Sequence, residues 1–142
     1  MYLFNRSISV NARTEDQKKV IVDGTFLDTL HEIHLTIEVD LESYTITSAD
    51  GELIRTPYSD CKTVKDRIKG LSGINLRQNV RKQIQAKVGL EQGCIHLTDL
   101  AIECVKGFVQ TKFRLMFLNL PPEELKVEME KALGGSCQHY KL

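Results

Sequence analysis

The segment Gly93-Cys94-Ile95-His96-Leu97-Thr98 sets a thiol and an imidazole two residues apart where an apolar helical pattern begins. Unpaired backbone N–H groups and the helix dipole at such a start favour a thiolate, the form that binds metals or attacks electrophiles. Cys61 occupies a comparable place, after Thr56-Pro57-Tyr58-Ser59-Asp60 and before a second helical pattern. Two soft ligands at two helix starts form a candidate site. His31 belongs with them on parity: it falls on the same side of an alternating strand as Ile33, Leu35, Ile37 and Val39. An imidazole on a covered face needs a partner, either a shared metal or a hydrogen bond at the strand start. Asp28, just before that strand, is an oxygen ligand, a support for an imidazole, or a turn residue.

The remaining cysteines and histidines carry less. Cys104 lies on an apolar stripe with Leu97, Leu100, Ala101 and Phe108 and reads as core. Cys137 and His139 repeat the thiol–imidazole spacing, but in a polar tail after Gly134-Gly135. His34 has the opposite parity to His31 and is expected at the surface. No Ser-His-Asp pattern, phosphate-binding glycine loop or H-E-x-x-H motif is present, and no C-x-x-C pair marks a zinc ribbon or a thioredoxin-type site.

Composition removes whole classes of function. Lysine plus arginine and aspartate plus glutamate number 19 each. That balance argues against nucleic acid, which asks for a basic stripe. No apolar run approaches the ~20 residues of a membrane span. The start Met1-Tyr2-Leu3-Phe4 does not read as a secretion signal, so a cytoplasmic location with reduced cysteines is expected. A chain of 142 residues suffices to bury a core without disulfides.

The elements that must position these residues come in two blocks. Residues 3–13, 19–26, 30–39 and 44–49 read as strands joined by short turns, with Asp50-Gly51 marking another turn. Short connections favour an antiparallel meander. Beyond Pro57 the period lengthens. Val64, Ile68 and Leu71 mark a short helix; a second is expected from Asn75-Leu76, with Leu76, Val80, Ile84 and Val88 on its stripe. A third begins near Cys94 and reaches Phe117, with Gly107 as its weak point. Pro121-Pro122-Glu123-Glu124 opens a fourth, with proline and acids suited to a first turn. The expected fold class is α+β: an antiparallel sheet of about four strands followed by helices packed on one face. One domain is expected over 1–133, with a flexible tail over 134–142.

Taken in order, Asp28-Thr29-Leu30-His31, Thr56-Pro57-Tyr58-Ser59-Asp60-Cys61, Gly70-Leu71 and Gly93-Cys94-Ile95-His96-Leu97-Thr98-Asp99-Leu100 resemble a bacterial family of unknown function up to about Phe113. That resemblance implies no reaction. The order of elements is also similar to the scaffold proteins on which iron–sulfur clusters are assembled. In this comparison Leu35-Thr36-Ile37-Glu38-Val39-Asp40 looks like the central strand, Cys61 matches a cysteine after the sheet, and Cys94 matches a late-helix cysteine. Asp28 and His31 stand where the scaffold's first cysteine would fall. This resemblance implies a mixed Cys/His/Asp site.

The leading expectation is therefore a transition-metal site for Zn, Fe or an iron–sulfur cluster on Cys61, Cys94, His96, His31 and Asp28. A thiol enzyme catalysing acyl or sulfur transfer, with Cys94 as nucleophile and His96 or His31 as base, is the catalytic alternative. The third is a non-catalytic assembly module in which Leu115, Met116, Phe117, Leu118 and Leu120 meet a protein partner or a second copy of the chain.

Overall fold

Residues Lys19–Asp28 and Glu32–Asp40 alternate between covered and open positions strictly enough to fix the architecture. β1 (Arg6–Arg13), β2 (Lys19–Asp28), β3 (Glu32–Asp40) and β4 (Ile46–Arg55) form an antiparallel meander in the order β1-β2-β3-β4. In the computed structural model, which describes residues 1–142, Val20, Val22, Phe26, Ile33, Leu35, Ile37 and Val39 are all buried. Their parity places them on one face of β2 and β3. The register sets Phe26 opposite Ile33 and Val22 opposite Ile37. A slip of one residue would turn this whole apolar set to solvent, so the pattern itself fixes the pairing.

β4 corrects one expectation. Asp50-Gly51 is not a turn; the strand runs through it, and Gly51 pairs with Leu35. The glycine serves a close approach instead, because a Cβ there would lie 2.4 Å from the His34 carbonyl oxygen. Glycine inside a strand marks either event, and composition does not tell them apart.

A 3-10 helix over Ser59–Leu71 follows, burying Val64, Ile68 and Leu71 as their spacing predicts. α1 spans Val80–Val88 and buries Ile84 and Val88. It starts later than Asn75-Leu76, because residues 75–79 are held in another conformation. The Leu76 N–H donates to the Tyr44 carbonyl, and Arg77 donates to the carbonyls of Ser43 and Glu42. Asn79 then enters α1 with a left-handed backbone, φ 52°. Tertiary hydrogen bonds override helical periodicity there.

α2 runs without interruption over Ile95–Asn119, so Gly107 does not break it, and α3 covers Pro122–Leu133. No helix is long and apolar enough to cross a membrane. The chain divides into two compact units, Met1–Phe108 and Val109–Leu142. The first holds the sheet, the 3-10 helix, α1 and the opening turns of α2. There Leu97, Leu100, Ala101, Cys104 and Phe108 are buried. A methyl group on Gly24 would meet Cys104 Sγ at 2.5 Å, which places this part of α2 directly over β2. The fold is α+β.

Candidate functional site

The β2–β3 hairpin is closed by the two residues that matter most. The Asp28 N–H donates to the His31 carbonyl at 2.9 Å, leaving Thr29 and Leu30 as the loop. Asp28 Oδ1 in turn accepts from the N–H groups of Leu30 at 2.8 Å and His31 at 2.7 Å. It also meets the His31 Nδ1 at 2.8 Å. Burial works to raise the Asp28 carboxyl, but these three donors together hold it below the usual carboxylate range. An ionised carboxylate can only accept, so His31 Nδ1 carries the proton. In the neutral ring, Nε2 is left with a free lone pair. The strand parity of His31 is borne out: the residue is buried, while His34 is exposed.

His96 is brought to this hairpin by α2. Its ring centroid lies 3.9 Å from that of His31, with the planes tilted by 34°. Phe26 presents its ring edge-on to both, at 5.3 Å from His96 and 6.2 Å from His31. Burial, reinforced by His31 and Arg6, lowers the His96 pKa, against the pull of Asp28 and Asp99. His96 is therefore neutral at pH 7 and able to donate a lone pair. Ligand atoms of Asp28, His31 and His96 all lie within 4.8 Å of one another.

The thiols are placed differently. Cys94 is the residue before α2, with its Sγ 3.9 Å from His96 Nδ1. The expected thiolate is corrected here. Burial raises the Cys94 thiol above its ordinary value, outweighing the N–H groups of Leu97 and His96 that act to lower it. Partial desolvation outweighs the helix start at this half-buried sulfur. Cys61 is half-buried, lines a cavity of about 450 Å³ with Tyr58, Asp60 and Gly93, and stands close enough to Cys94 to help raise that thiol. Neither thiol belongs to the set within 4.8 Å. Cys137 is exposed at the far end of the chain. Cys104 is core, and burial pushes its thiol up to about 12. In a maleimide time course on native protein, Cys104 is expected to label last of the four, and to react only when the fold opens.

The local sequence around Cys94 is dictated mostly by packing. The Cys94 N–H donates to the Val88 carbonyl at 2.7 Å, tying the end of α1 to the start of α2. A Cβ on Gly93 would lie 2.0 Å from that same carbonyl oxygen, so only glycine fits. The Thr98 hydroxyl and N–H both donate to the Cys94 carbonyl at 3.0 Å, and Leu97 and Leu100 are fully buried. Glycine, leucine and threonine thus build the turn, and His96 is the member left for chemistry.

Two arginines complete the surroundings and were not legible beforehand. Arg6 sits 3.7 Å from Asp28 Oδ2 and over the Phe26 ring at 4.9 Å. Arg55 donates to the carbonyls of Thr29, Asp28 and His31, bracing the hairpin from β4. Their signal was the register, which sets Arg6 opposite Asp28 and Arg55 opposite Glu32.

A sequence comparison places all of these residues inside one known family. The chain belongs to the DUF2889 family. The family is described as proteins of unknown function, and its sequence model matches residues 4–110. No curated protein and no solved structure matches the chain. The DUF2889 region takes in Arg6, Asp28, His31, Cys61, Cys94 and His96, and ends two residues beyond the first compact unit.

The depressed Asp28 pKa has a consequence for stability. A carboxyl with a folded pKa below its unfolded value of ~3.9 stabilises the fold above that value. The contribution is lost as pH falls through the lower folded pKa. Asp28→Asn is therefore expected to be less stable than the parent at pH 7. The gap should narrow below about pH 4. Urea unfolding at both pH values measures it; a gap that stays constant would show that the charge does not matter.

Proposed function

We propose that the DUF2889 region of this chain holds a transition-metal ion, Zn²⁺ or Fe²⁺, on His31, His96 and Cys94, with Asp28 fixing His31 from behind. The observation that carries this reading is the convergence of Asp28, His31 and His96 from a hairpin and a helix, with ligand atoms within 4.8 Å. Two ligands on one tetrahedral Zn²⁺ stand about 3.5 Å apart, given bond lengths near 2.0 Å to nitrogen and 2.3 Å to sulfur. The 3.9 Å between Cys94 Sγ and His96 Nδ1 is close to that separation. Asp28 has the carboxylate–histidine arrangement that orients a metal-bound imidazole and raises its basicity. Its charge is offset by Arg6, so a Cys94 thiolate would supply the anionic ligand. Metal binding itself deprotonates a coordinating thiol, which reconciles a raised free thiol with a ligand role. The same raised thiol weighs against unaided nucleophilic catalysis by Cys94.

A bound ion would act as a clamp if four ligands closed around it, or as a Lewis acid if one position stayed open. Iron–sulfur chemistry is the narrower form of this reading and requires Cys61 to join. Metal analysis of untagged protein, purified anaerobically under reducing conditions, tests the proposal together with Co²⁺ titration. One equivalent of metal is expected, with a sulfur-to-cobalt charge-transfer band that Cys94→Ser removes. Protein that holds no metal and gives no Co²⁺ spectrum would overturn it.

A further inference from the structure

The second compact unit lies almost wholly outside the DUF2889 match, which ends at residue 110. Residues 111–142 lie outside that match. Within this unit, the end of α2 and one side of α3 border an open groove of about 610 Å³, lined by Met116, Leu120, Glu123, Glu124, Val127 and Glu128. Three apolar side chains make the floor. Val127 is 60% exposed, although it sits in the middle of a helix where a polar residue would be expected on an open face. Three glutamates make the rim, and no basic side chain lines the groove. Of the two basic residues of α3, Lys126 pairs with Glu130, and Lys131, in the last turn, does not line the groove. None of the three rim carboxylates is in an ion pair. Apolar floor and uncompensated acidic rim define the occupant by complementarity: apolar along one stripe, positive beside it.

We propose that this groove docks a basic amphipathic helix of a partner protein, with the partner's apolar stripe on Met116, Leu120 and Val127 and its lysines or arginines on Glu123, Glu124 and Glu128. A second copy of the chain fits poorly. A two-fold contact through the groove brings each patch against its own duplicate and so crowds six like charges together. Glu123 and Glu124 also occupy the first turn of α3, where the helix dipole favours acids. That accounts for two of the rim acids, but not for Glu128 or the exposed Val127. This inference stands apart from the metal reading and shares no residue with it.

The test uses the full chain and three synthetic peptides of about four helical turns. The first is an amphipathic Leu/Lys helix, the second has the same composition with the apolar stripe scrambled, and the third has Glu for Lys. Binding is followed by methyl NMR at Met116 and Val127. The first peptide alone should bind, more weakly as ionic strength rises, with shifts confined to the groove. Val127→Asp should weaken it at least tenfold. Triple replacement of Glu123, Glu124 and Glu128 by Lys should weaken it at least tenfold as well and admit the Leu/Glu peptide. These positions are exposed, but lysine at 123 and 124 opposes the α3 dipole. Val127→Asp leaves that turn intact, so it decides the outcome if the triple variant loses helix by circular dichroism. No binding by the first peptide, equal binding by the scrambled one, or shifts elsewhere would overturn the proposal. So would a sedimentation profile showing a dimer that buries Met116 and Val127.

Discussion

Alanine at His96 is expected to weaken Zn²⁺ binding by 100-fold or more, and alanine at His31 by a similar factor. Structural zinc sites bind with roughly 10–16 kcal/mol shared among four ligands, or about 3 kcal/mol each. At 1.4 kcal/mol per decade, one lost ligand removes two orders of magnitude. Competition against a chromophoric chelator reads this directly. Asp28→Asn should cost less, about 10- to 100-fold, because it acts by orienting His31 rather than by touching the ion. Cys61→Ser separates the broad reading from the narrow one. Unchanged Zn²⁺ affinity is expected if the site is His31, His96 and Cys94, whereas a cluster spanning both cysteines would be lost. Equal affinity in the parent and in His96→Ala would remove the imidazole pair from any account of function.

Gly93→Ala is expected to be the most damaging single methyl in the first unit. The new Cβ would be 2.0 Å from the Val88 carbonyl oxygen, and that oxygen is already held by the Cys94 N–H. Backbone cannot swing aside as a flexible side chain would. The junction between α1 and α2 has to open, at a cost of about 3 kcal/mol or more. For a chain of this size that lowers Tm by roughly 10 °C. Differential scanning calorimetry measures it. Gly70→Ala is the control, because a Cβ there finds only the Lys87 side chain at 3.5 Å. If both variants melt with the parent, the rigid junction is not what requires glycine.

The fold was largely legible because alternation on β2 and β3 is clean and each apolar residue has one face available to it. Ile33, Leu35, Ile37 and Val39 were readable as one buried row, and His31 followed from them. Cys104 was readable as core from its stripe. The errors share a cause. Asp50-Gly51 and Asn75-Leu76 have the composition of local signals, but their conformation is set by distant groups, the His34 carbonyl in one case and Tyr44 with Ser43 in the other. The site was legible residue by residue and not as a set. Asp28, His31 and His96 converge, whereas Cys61 lies near Cys94 without joining that set. No periodicity reports how far a helix start stands from a hairpin, or that burial would keep Cys94 protonated.

His31 and His96 lie far apart in the chain and meet only when α2 has settled on β2. An unfolded polypeptide therefore offers an ion the Cys94-Ile95-His96 segment and a distant His31, not a preformed cradle. Under the proposed site, loading would become a thermodynamic lever on conformation: at 100 times its dissociation constant, a ligand of the native state alone adds about 2.7 kcal/mol to the folding equilibrium. Cellular ion supply would then set how much of this protein survives proteolysis, whether or not it catalyses anything.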